Sequence, residues 1–590
     1  MIRRFNYRTR LLILTLGLSA VPYFVNLGTS SLWDTNEAFY AETPREMIES
    51  GNFSDPTFNY LPRLNKPPLS YWIVAGSYRL FGISEGAERV PIALGAVILM
   101  ATAFALGRAA ASNEAGLISA IAVAANPRFL FFARRIIIDV YIAMFLALAL
   151  LFFALALRTI DRGEMPRRRF YLVMMYVTIG LAVITKGPVG VVLPALTFLL
   201  FALTTKRFNL FREMMLPAGF VLVAVIALPW YVSICHNHGW RYIASFLLGD
   251  NLSRYTSGNW GPSRSVFFYV PVLLGDLFPW SLLLIPALGT FLLAGLRRIL
   301  HSALRWSGRD AKVGAGKDRK EDAGVLAVYG LAGSTNLLLF LWIVSIVGFF
   351  SLSKGKEDLY ILPIYPAAMA IVGVLLSRFI DQAATTSNFT RLVSRILVVT
   401  AVAVLAAGCA LLYLRGIMPV TLRLAGVVPI SIAAILGGGL IFLAVVMKRR
   451  FITVLAMMLT MAVINWVIVL RMVPDYERFQ PVPPIAEIIR SRAGAKARIC
   501  YFKYAAPSLV YYLNRRIYEY SDDELEAVQG LLSSGKEVYC VTPESELEKL
   551  RAGTGPLFIL ARRALFKLKL KTIHSGYDPP QLILVTNRSE

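Results

Sequence analysis

Long apolar runs separated by short polar segments make up most of the chain up to residue 473. A helix that crosses the hydrocarbon of a bilayer needs roughly 20 apolar residues, because no water is present there to bond its backbone amides. The pattern therefore predicts a polytopic membrane protein, mainly α-helical, with about thirteen transmembrane helices. The predicted spans are 11–27, 91–110, 116–132, 137–157, 170–185, 188–204, 216–234, 266–296, 327–352, 361–378, 393–414, 425–447 and 452–472.

The pattern changes after residue 473. Short runs rich in β-branched and aromatic residues, such as "RICYFK", "EVYCVT" and "LILVTN", alternate there with helical stretches such as "DDELEAVQGLL". Alternation of strand-like and helix-like segments is typical of an α/β domain. We therefore predict two parts, a transmembrane domain at 1–473 and a small α/β domain outside the membrane at 474–590.

Composition and charge agree with this division. Hydrophobic residues make up 57% of the chain and charged residues 16%, which is unlike an average soluble protein. The net charge of +25 would suit a nucleic-acid-binding protein, but the basic residues cluster between predicted spans, at 3–10, 162–169, 206–212, 297–320 and 448–450. If the N-terminus is cytoplasmic, all these clusters are cytoplasmic, as the positive-inside rule expects. The charge thus indicates topology, and we predict membrane lipids and no nucleic acid as partners.

The same topology places the other polar segments on one outer face. They are the loop 28–90, the start of the span 137–157, the loop 235–265, the segment 354–360 and the α/β domain. The basic loop 297–325 lies on the cytoplasmic side. A site that needs polar groups is therefore expected at the outer face.

The first outer loop begins with the acid-rich stretch "LWDTNEAFYAETPREM" at 31–46. Asp34 and Glu37 have the spacing of a helix cap, and Thr43 and Glu46 have that of a capping box with a proline between them. Two short interfacial helices would explain these residues without any chemistry. A role in catalysis is the alternative.

Asp139 is harder to explain structurally. It lies inside an apolar helix, where a carboxylate costs several kcal/mol unless it faces a cavity or a partner. Arg134 and Arg135, in "ARRIIIDVY", are the structural partners that the sequence offers. The alternative is that Asp139 serves a site at the outer mouth of its helix.

Cysteine and histidine are scarce, with four of each. Cys500 and Cys540 lie in two predicted strands, where an outer compartment would permit a disulfide and where two buried free thiols are equally expected. His236 and His238 are weak candidates for metal ligands, since a solvated pair in a loop explains them better. A divalent metal is the one cofactor that these residues leave open.

Several motifs in order resemble one known group of proteins. They are "NEAFYAETPREM", "LNKPPLSYW", Asp139, "LAVITKGPVG", "DNLSRY", "LFPWS" and "FFSLSKGKEDLYILPIYP". This order is similar to that of the bacterial aminoarabinose transferase and protein O-mannosyltransferase group, which are glycosyltransferases of the GT-C fold. The resemblance covers the whole membrane domain.

The resemblance implies a transfer reaction at the outer face of the bacterial inner membrane. A polyprenyl-phosphate-linked sugar, such as 4-amino-4-deoxy-L-arabinose or another pentose or hexose, would be moved to lipid A or another envelope glycan. Transfer to Ser or Thr hydroxyls of proteins is the first alternative, and a lipid-linked sugar transporter or flippase is the second. The sugar, the acceptor and the oligomeric state stay open.

The donor departs as a phosphate, so cations must neutralise the negative charge that develops on it. Three outer-face residues are candidates for this role: Lys66, Arg254 and Lys356. Two aromatic residues, Tyr40 and Tyr360, would supply hydrogen-bond donors and stacking surface at the rim of the site. Interface aromatics are the alternative for both.

A carboxylate would align or deprotonate the acceptor. The group carries an Asp-Glu pair in the first outer loop, whereas the resemblance places Asn36 at the aspartate and Glu37 at the glutamate. An amide cannot act as a base, so Glu37 and Asp139 are predicted as the catalytic acids, with Asp34 as a close third. The aminoarabinose branch can also carry a zinc-binding glutamate where this chain has Asn65.

Overall fold

The computed structural model describes residues 6–34, 36–257, 264–306, 326, 331–381, 386–565 and 579–588, with the backbone alone at 250, 295–306 and 421. Most of the predicted cytoplasmic loop, from residue 307 to 325, lies outside this part of the chain, as do the first residues of the basic N-terminal cluster. The division into domains at residue 473 stays a prediction.

The described part of the membrane region is built almost wholly from helices. Their bounds are Tyr7–Ala20, Val21–Tyr23, Asn36–Ser50, Leu69–Phe81, Glu85–Ala110, Asn113–Ala124, Pro127–Ala133, Ile138–Asp161, Met165–Lys186, Val189–Thr205, Leu210–Glu213, Leu216–His238, Trp240–Ala244, Ser245–Ser253, Arg254–Thr256, Val266–Phe268, Tyr269–Asp276, Ser281–Trp306, Ser334–Leu352, Asp358–Ile364, Tyr365–Ile380, Ser387–Ile417, Val420–Leu422, Val427–Val446, Arg450–Val467 and Ile468–Met472. A chain of this kind satisfies its backbone amides within each helix, as a bilayer requires.

Nine helices among the described residues are long and apolar enough to cross a membrane, or ten if one bent pair counts as a single span. The bent pair is Asn113–Ala124 with Pro127–Ala133, which meet at 66°. The predicted multi-pass architecture is therefore confirmed. The remaining predicted spans coincide with shorter helices, including Tyr7–Ala20 and Val189–Thr205.

Two local predictions are wrong. The predicted span 266–296 is not one helix, because the chain leaves the helical path between Asp276 and Ser281, where Pro279 has no amide hydrogen to continue the bonding pattern. The stretch 31–46 does not form two short helices either. A single helix, Asn36–Ser50, runs through Pro44, since contacts with other elements anchor both of its halves.

A small hairpin and a sheet lie next to the membrane helices. The hairpin pairs β1 (Thr57–Phe58) with β2 (Leu61–Pro62). The sheet has five strands, β3 (Arg498–Phe502), β4 (Tyr518–Tyr520), β5 (Val538–Pro543), β6 (Phe558–Ala564) and β7 (Gln581–Thr586). Their order is β4-β3-β5-β7-β6, with parallel pairing of β3 to β4 and β5 and antiparallel pairing of β7 to β5 and β6.

Helices alternate with these strands, and their bounds are Val482–Arg492, Ser508–Leu513, Leu525–Leu532, Glu544–Glu546 and Leu547–Ala552. The short helices Val473–Tyr476 and Glu477–Phe479 continue the last membrane-spanning helix. The predicted C-terminal α/β fold is therefore confirmed. Cys500 and Cys540 occupy facing positions on β3 and β5 and are free, buried thiols. Apolar side chains from both faces of the sheet complete its core.

Candidate active site

A cavity of about 390 Å³ lies where the helix Ile138–Asp161 begins and the helix Met165–Lys186 ends. Its charged lining residues are Lys66, Asp139, Lys186 and Arg254, three cations and one carboxylate. The rest of the wall is mostly apolar, with Ile142, Leu146, Val189, Val192, Leu193, Leu247, Leu252, Phe349, Phe350 and Pro363. The cavity therefore combines a cationic end with a surface suited to a hydrocarbon chain.

Asp139 and Lys186 form an ion pair at the centre of this lining. Asp139 lies in the first turn of its helix and Lys186 in the last turn of the next one. Each charge thus complements the dipole of the helix that carries it. The side chains keep 11% and 17% of their surface exposed, respectively, so the pair can be reached from the cavity.

The suggested pairing of Asp139 with Arg134 or Arg135 is wrong. Arg134 donates to the carbonyl oxygens of Pro22 and Asn26, and the guanidinium of Arg135 lies over the rings of Trp33 and Phe131. Sequence proximity misled here, because the helix start directs these arginines away from the cavity.

Lys186 is the residue that the sequence analysis missed. A usable signal was present, since Lys186 is the one charged side chain between residues 170 and 205. A lone lysine within apolar helices is as informative as a lone aspartate. Its amino nitrogen also lies 5.0 Å from the centre of the Tyr360 ring, so the predicted rim residue Tyr360 does contact the charged lining.

Lys66 and Arg254 reach the cavity from two different outer segments. Lys66 follows the hairpin and precedes the helix Leu69–Phe81, and its amino nitrogen is 5.9 Å from the ring centre of Phe246. The backbone of Arg254 is held by Gly355, whose amide donates to the Arg254 carbonyl over 3.0 Å. A β-carbon on Gly355 would lie 2.6 Å from that oxygen, so only glycine permits this approach.

Lys356, the third predicted cation, is buried beside the cavity rather than in its lining. Its amino group donates to the carbonyl oxygens of Ser353 and Arg264. Burial lowers the pKa of Lys356. Lys356 therefore links the segment that carries Gly355 to the segment that carries Arg264.

Glu37 lies outside the cavity lining, in a buried ion pair with Arg89. Its two carboxylate oxygens accept from Nε and Nη2 of Arg89 over 2.8 and 3.1 Å, and also from the amide of Trp33 over 2.9 Å. Burial by itself would raise the pKa of Glu37, but the charge and hydrogen bonds of Arg89 hold the pKa below its ordinary value. Its catalytic role stays a prediction.

Asp34 also faces away from the cavity, toward the C-terminal sheet. Its carboxylate accepts from the amide and hydroxyl of Ser508 over 2.8 and 2.6 Å. Burial raises the pKa of Asp34 to about 6. At the other end of the helix Ser508–Leu513, Arg45 donates to the carbonyl oxygens of Tyr511 and Val510. The stretch 31–46 therefore holds this helix at both ends.

Tyr40 is buried and stacks on Tyr71, with 5.5 Å between the ring centres. Burial raises its pKa well above the ordinary value, and the charges of Asp139 and Arg254 act on it as well. Tyr40 therefore lies behind the cavity wall, within electrostatic range of two lining residues. Its role at the rim stays a prediction.

The two histidines lie in the last turn of the helix Leu216–His238. His238 bonds to Asp55 through Nε2 over 3.1 Å. Within the described residues, no three His, Cys, Asp or Glu side chains are grouped closely enough to hold a metal ion. A divalent metal cofactor stays a prediction.

Comparison with known proteins places this geometry in context. Residues 65–232 match the family model described as dolichyl-phosphate-mannose-protein mannosyltransferase. An undecaprenyl phosphate-alpha-4-amino-4-deoxy-L-arabinose arabinosyl transferase of Pseudomonas fluorescens is 29% identical over 62% of this chain and 59% of its own length. A transferase with the same description from Proteus mirabilis is 27% identical over 61% of this chain and 58% of its own length. The sequence matches thus span about three fifths of these relatives.

Structural similarity extends further along the chain. The crystal structure of ArnT from Cupriavidus metallidurans bound to undecaprenyl phosphate superposes with a TM-score of 0.74, covers 98% of both chains and is 20% identical in sequence. The apo structure of the same protein gives a TM-score of 0.73 over the same coverage. The chain is a multi-pass membrane protein with the GT-C fold, and its resemblance to the aminoarabinose transferase and protein O-mannosyltransferase group is confirmed.

Proposed function

We propose that the chain is a membrane glycosyltransferase that moves a sugar from a polyprenyl-phosphate donor to an acceptor at the outer face of the bacterial inner membrane. The observation that carries this proposal is the cavity in which three cations face apolar walls. Its described relatives include transferases whose names specify an undecaprenyl phosphate-linked aminoarabinose donor. The acceptor is lipid A or another envelope glycan.

The cations suit the phosphate of such a donor. Lys66, Lys186 and Arg254 come from three different segments and converge on one cavity. In surroundings that exclude water, fixed cations stabilise a departing phosphate far more than they would in bulk solvent. The apolar part of the wall would hold the first units of the polyprenyl chain, which could enter from the membrane.

In the proposed reaction an oxygen of the acceptor attacks the anomeric carbon of the sugar. The bond from that carbon to the donor phosphate oxygen breaks, and polyprenyl phosphate leaves with the bonding electron pair. An acceptor phosphate is already ionised and needs orientation only, whereas a hydroxyl must pass its proton to a base. Asp139 lies where it could fill either role, while Lys186 shifts from the carboxylate toward the departing phosphate.

Transfer to protein hydroxyls is the second candidate. It is favoured by one observation, the match of residues 65–232 to a family described as a protein mannosyltransferase. The two candidates differ in acceptor and share the donor cavity. Mass spectrometry of lipid A, envelope glycans and secreted proteins from cells with and without the gene would identify the modified product, and an unchanged profile in all three would refute the proposed function.

The catalytic assignment is tested with the variant Asp139→Asn in the purified, membrane-reconstituted chain. The assay is sugar transfer from a synthetic polyprenyl-phosphate donor. Loss of a general base lowers a rate by about 10²- to 10⁴-fold, and loss of the ion pair would also misplace Lys186. Asp161→Asn is the matched control, because Asp161 ends the same helix and forms an exposed ion pair with Arg207.

Glu37→Gln separates catalysis from stability. If Glu37 acts as an anchor for Arg89, this variant lowers the unfolding temperature while the folded fraction keeps its turnover number. A normal unfolding temperature with strongly reduced turnover would instead make Glu37 catalytic. Wild-type transfer rates in both Asp139→Asn and Glu37→Gln would overturn the assignment of catalytic acids.

A further inference from the structure

A second cavity, of about 370 Å³, lies between the hairpin β1–β2 and the edge strand β4 of the C-terminal sheet. It differs from the donor cavity in character, because polar atoms form a larger share of its lining. The lining residues with polar or charged side chains are Asn59, Arg63, Asn65, Arg516, Tyr518 and Glu519.

The two cavities share a wall. Asn65 lines the second cavity, and Lys66, the next residue, lines the donor cavity. Consecutive α-carbons are about 3.8 Å apart, so the linings of the two cavities meet at the backbone turn of Asn65 and Lys66. Pro67 and Pro68 directly follow and limit the movement of this turn. A group bound in one cavity would therefore lie close to a group bound in the other.

The second cavity is also held in a defined shape. Asn59 and Tyr60 at the tip of the hairpin have positive φ angles of 57° and 61°, a conformation that costs energy in residues other than glycine. The side chain of Asn59 bonds to both backbone groups of Ile517, over 2.7 and 2.8 Å. On the other side, the amide of Tyr60 donates to the carboxylate of Glu46. The hairpin is thus fixed between the helix Asn36–Ser50 and the sheet.

The charges in this cavity favour an anionic ligand. Arg63 approaches from the hairpin, where its guanidinium lies 3.7 Å from the centre of the Phe39 ring. Arg516 approaches from the sheet, 5.8 Å from the centre of the Tyr518 ring, and is exposed. Glu519 is the single acidic residue in the lining. Guanidinium groups match the geometry of phosphate, and aromatic faces suit sugar rings.

We propose that the second cavity binds the phosphorylated sugar head group of the acceptor. This inference rests on the proposed function, because it gives the donor and the acceptor one cavity each, on opposite sides of the turn at Asn65 and Lys66. The acceptor phosphate then lies between Arg63 and Arg516, and its reacting oxygen is directed past the turn toward the anomeric carbon in the donor cavity.

An extended peptide fits this cavity less well. A peptide would bind by adding a strand to the edge of β4, which requires free backbone groups at that edge. The side chain of Asn59 already occupies both backbone groups of Ile517, the residue before β4. At Ile517 the edge is therefore already covered by the hairpin, whereas a compact head group needs no strand edge and its phosphate can bond to Arg63 and Arg516.

The test uses the full chain in nanodiscs, a synthetic polyprenyl-phosphate sugar donor, and lipid A with two phosphates or with one removed. We expect Arg516→Gln to raise the KM for bisphosphorylated lipid A about tenfold, as loss of a hydrogen bond to a charged group does. The KM for the donor should not change. Glu519→Gln should lower the acceptor KM, because it removes the one opposing charge.

Arg562→Gln is the matched control, since Arg562 lies on β6 at the opposite edge of the same sheet and is exposed. We expect no change in either KM for this variant. We also expect the preference of the wild type for two phosphates over one to shrink in Arg516→Gln, which a general loss of stability would not cause.

Three outcomes would count against the proposal in different ways. An acceptor KM in Arg516→Gln equal to that of Arg562→Gln would overturn the acceptor site and leave the proposed function standing. Donor consumption with transfer to peptides and none to lipid A would also overturn it. A wild-type chain that consumes no polyprenyl-phosphate sugar would refute the proposed function itself.

Discussion

The attachment of the C-terminal sheet to the first outer loop should depend on pH through Asp34. This carboxylate is buried against Ser508, and burial raises its pKa from 3.8 to about 6. A carboxyl group whose pKa rises on folding favours the folded state while it is protonated. Its contribution to stability is therefore complete below about pH 4 and is lost as the pH rises through about 6.

The size of this effect follows from the two pKa values. As the pH falls from about 7.5 to about 5, the equilibrium constant for attachment should rise roughly tenfold, or by about 1.4 kcal/mol, because the attached state binds the proton of Asp34 more tightly than the detached state does. The full difference of about two pKa units corresponds to about 3 kcal/mol. Burial also raises the pKa of Glu42 and Glu46 on the neighbouring helix Asn36–Ser50, so the wild type should show a larger total pH dependence than Asp34 alone provides.

The measurement is hydrogen exchange of the backbone amides in the helix Ser508–Leu513, corrected for intrinsic rates, in the wild type and in Asp34→Asn. An asparagine cannot ionise; its Oδ1 can accept from the amide of Ser508, and its NH2 group can donate to the hydroxyl oxygen of Ser508. Over this pH range, we expect the opening equilibrium constant of this helix to change about tenfold more in the wild type than in the variant. Asp523→Asn, which changes an exposed carboxylate of the same domain, should behave as the wild type.

Identical pH dependence in the wild type and Asp34→Asn would refute this reasoning. It would mean that Asp34 stays ionised in the attached state, with its charge satisfied by the bonds to Ser508. An opposite sign, with tighter attachment at higher pH in the wild type alone, would mean that these bonds lower the pKa of Asp34 more than burial raises it.

Two further predictions concern the donor cavity. Lys186→Met leaves the carboxylate of Asp139 without its partner, and we expect the rate of sugar transfer to fall by at least about 10²-fold. The variant should also retain polyprenyl phosphate more weakly in native mass spectrometry. The double variant Asp139→Asn with Lys186→Met should be more stable to heat than Lys186→Met alone, because no unpaired charge remains. Gly355→Ala should displace Arg254, since the new β-carbon would lie 2.6 Å from the Arg254 carbonyl oxygen. We expect this variant to raise the KM for the donor. In the control Gly348→Ala the new β-carbon meets no atom within 4 Å, so that KM should not change.

Much of the membrane architecture could be predicted because apolar runs of spanning length have few alternative structures in a bilayer. Asp139 could be found for the same reason, as an expensive charge in an apolar helix. Its partner Lys186 could not be assigned from spacing, since the two residues are 47 positions apart and meet only when neighbouring helices pack. Local rules for helix starts likewise failed at Pro44, because contacts between distant elements outweigh the preference of one residue.

The roles of Asp34 and Arg45 were out of reach for a related reason. Both residues bind a helix that lies more than 460 positions further along the chain. Sequence reasoning placed an acid-rich stretch at the outer face and assigned its chemistry by resemblance. In the structure Asp34 and Arg45 bond to the helix Ser508–Leu513, and Glu37 forms an ion pair with Arg89. The catalytic roles assigned to Asp34 and Glu37 stay predictions.

The bond between Asp34 and Ser508 joins residues that are 474 positions apart, which has a consequence for biosynthesis. At about 5–20 residues per second, a ribosome needs roughly half a minute to a minute and a half to make the intervening chain. During that interval Asp34 has no partner in the helix Ser508–Leu513 and stays hydrated. The donor cavity, which is lined by residues up to Pro363, can therefore assemble before the second cavity, whose far wall begins at Arg516.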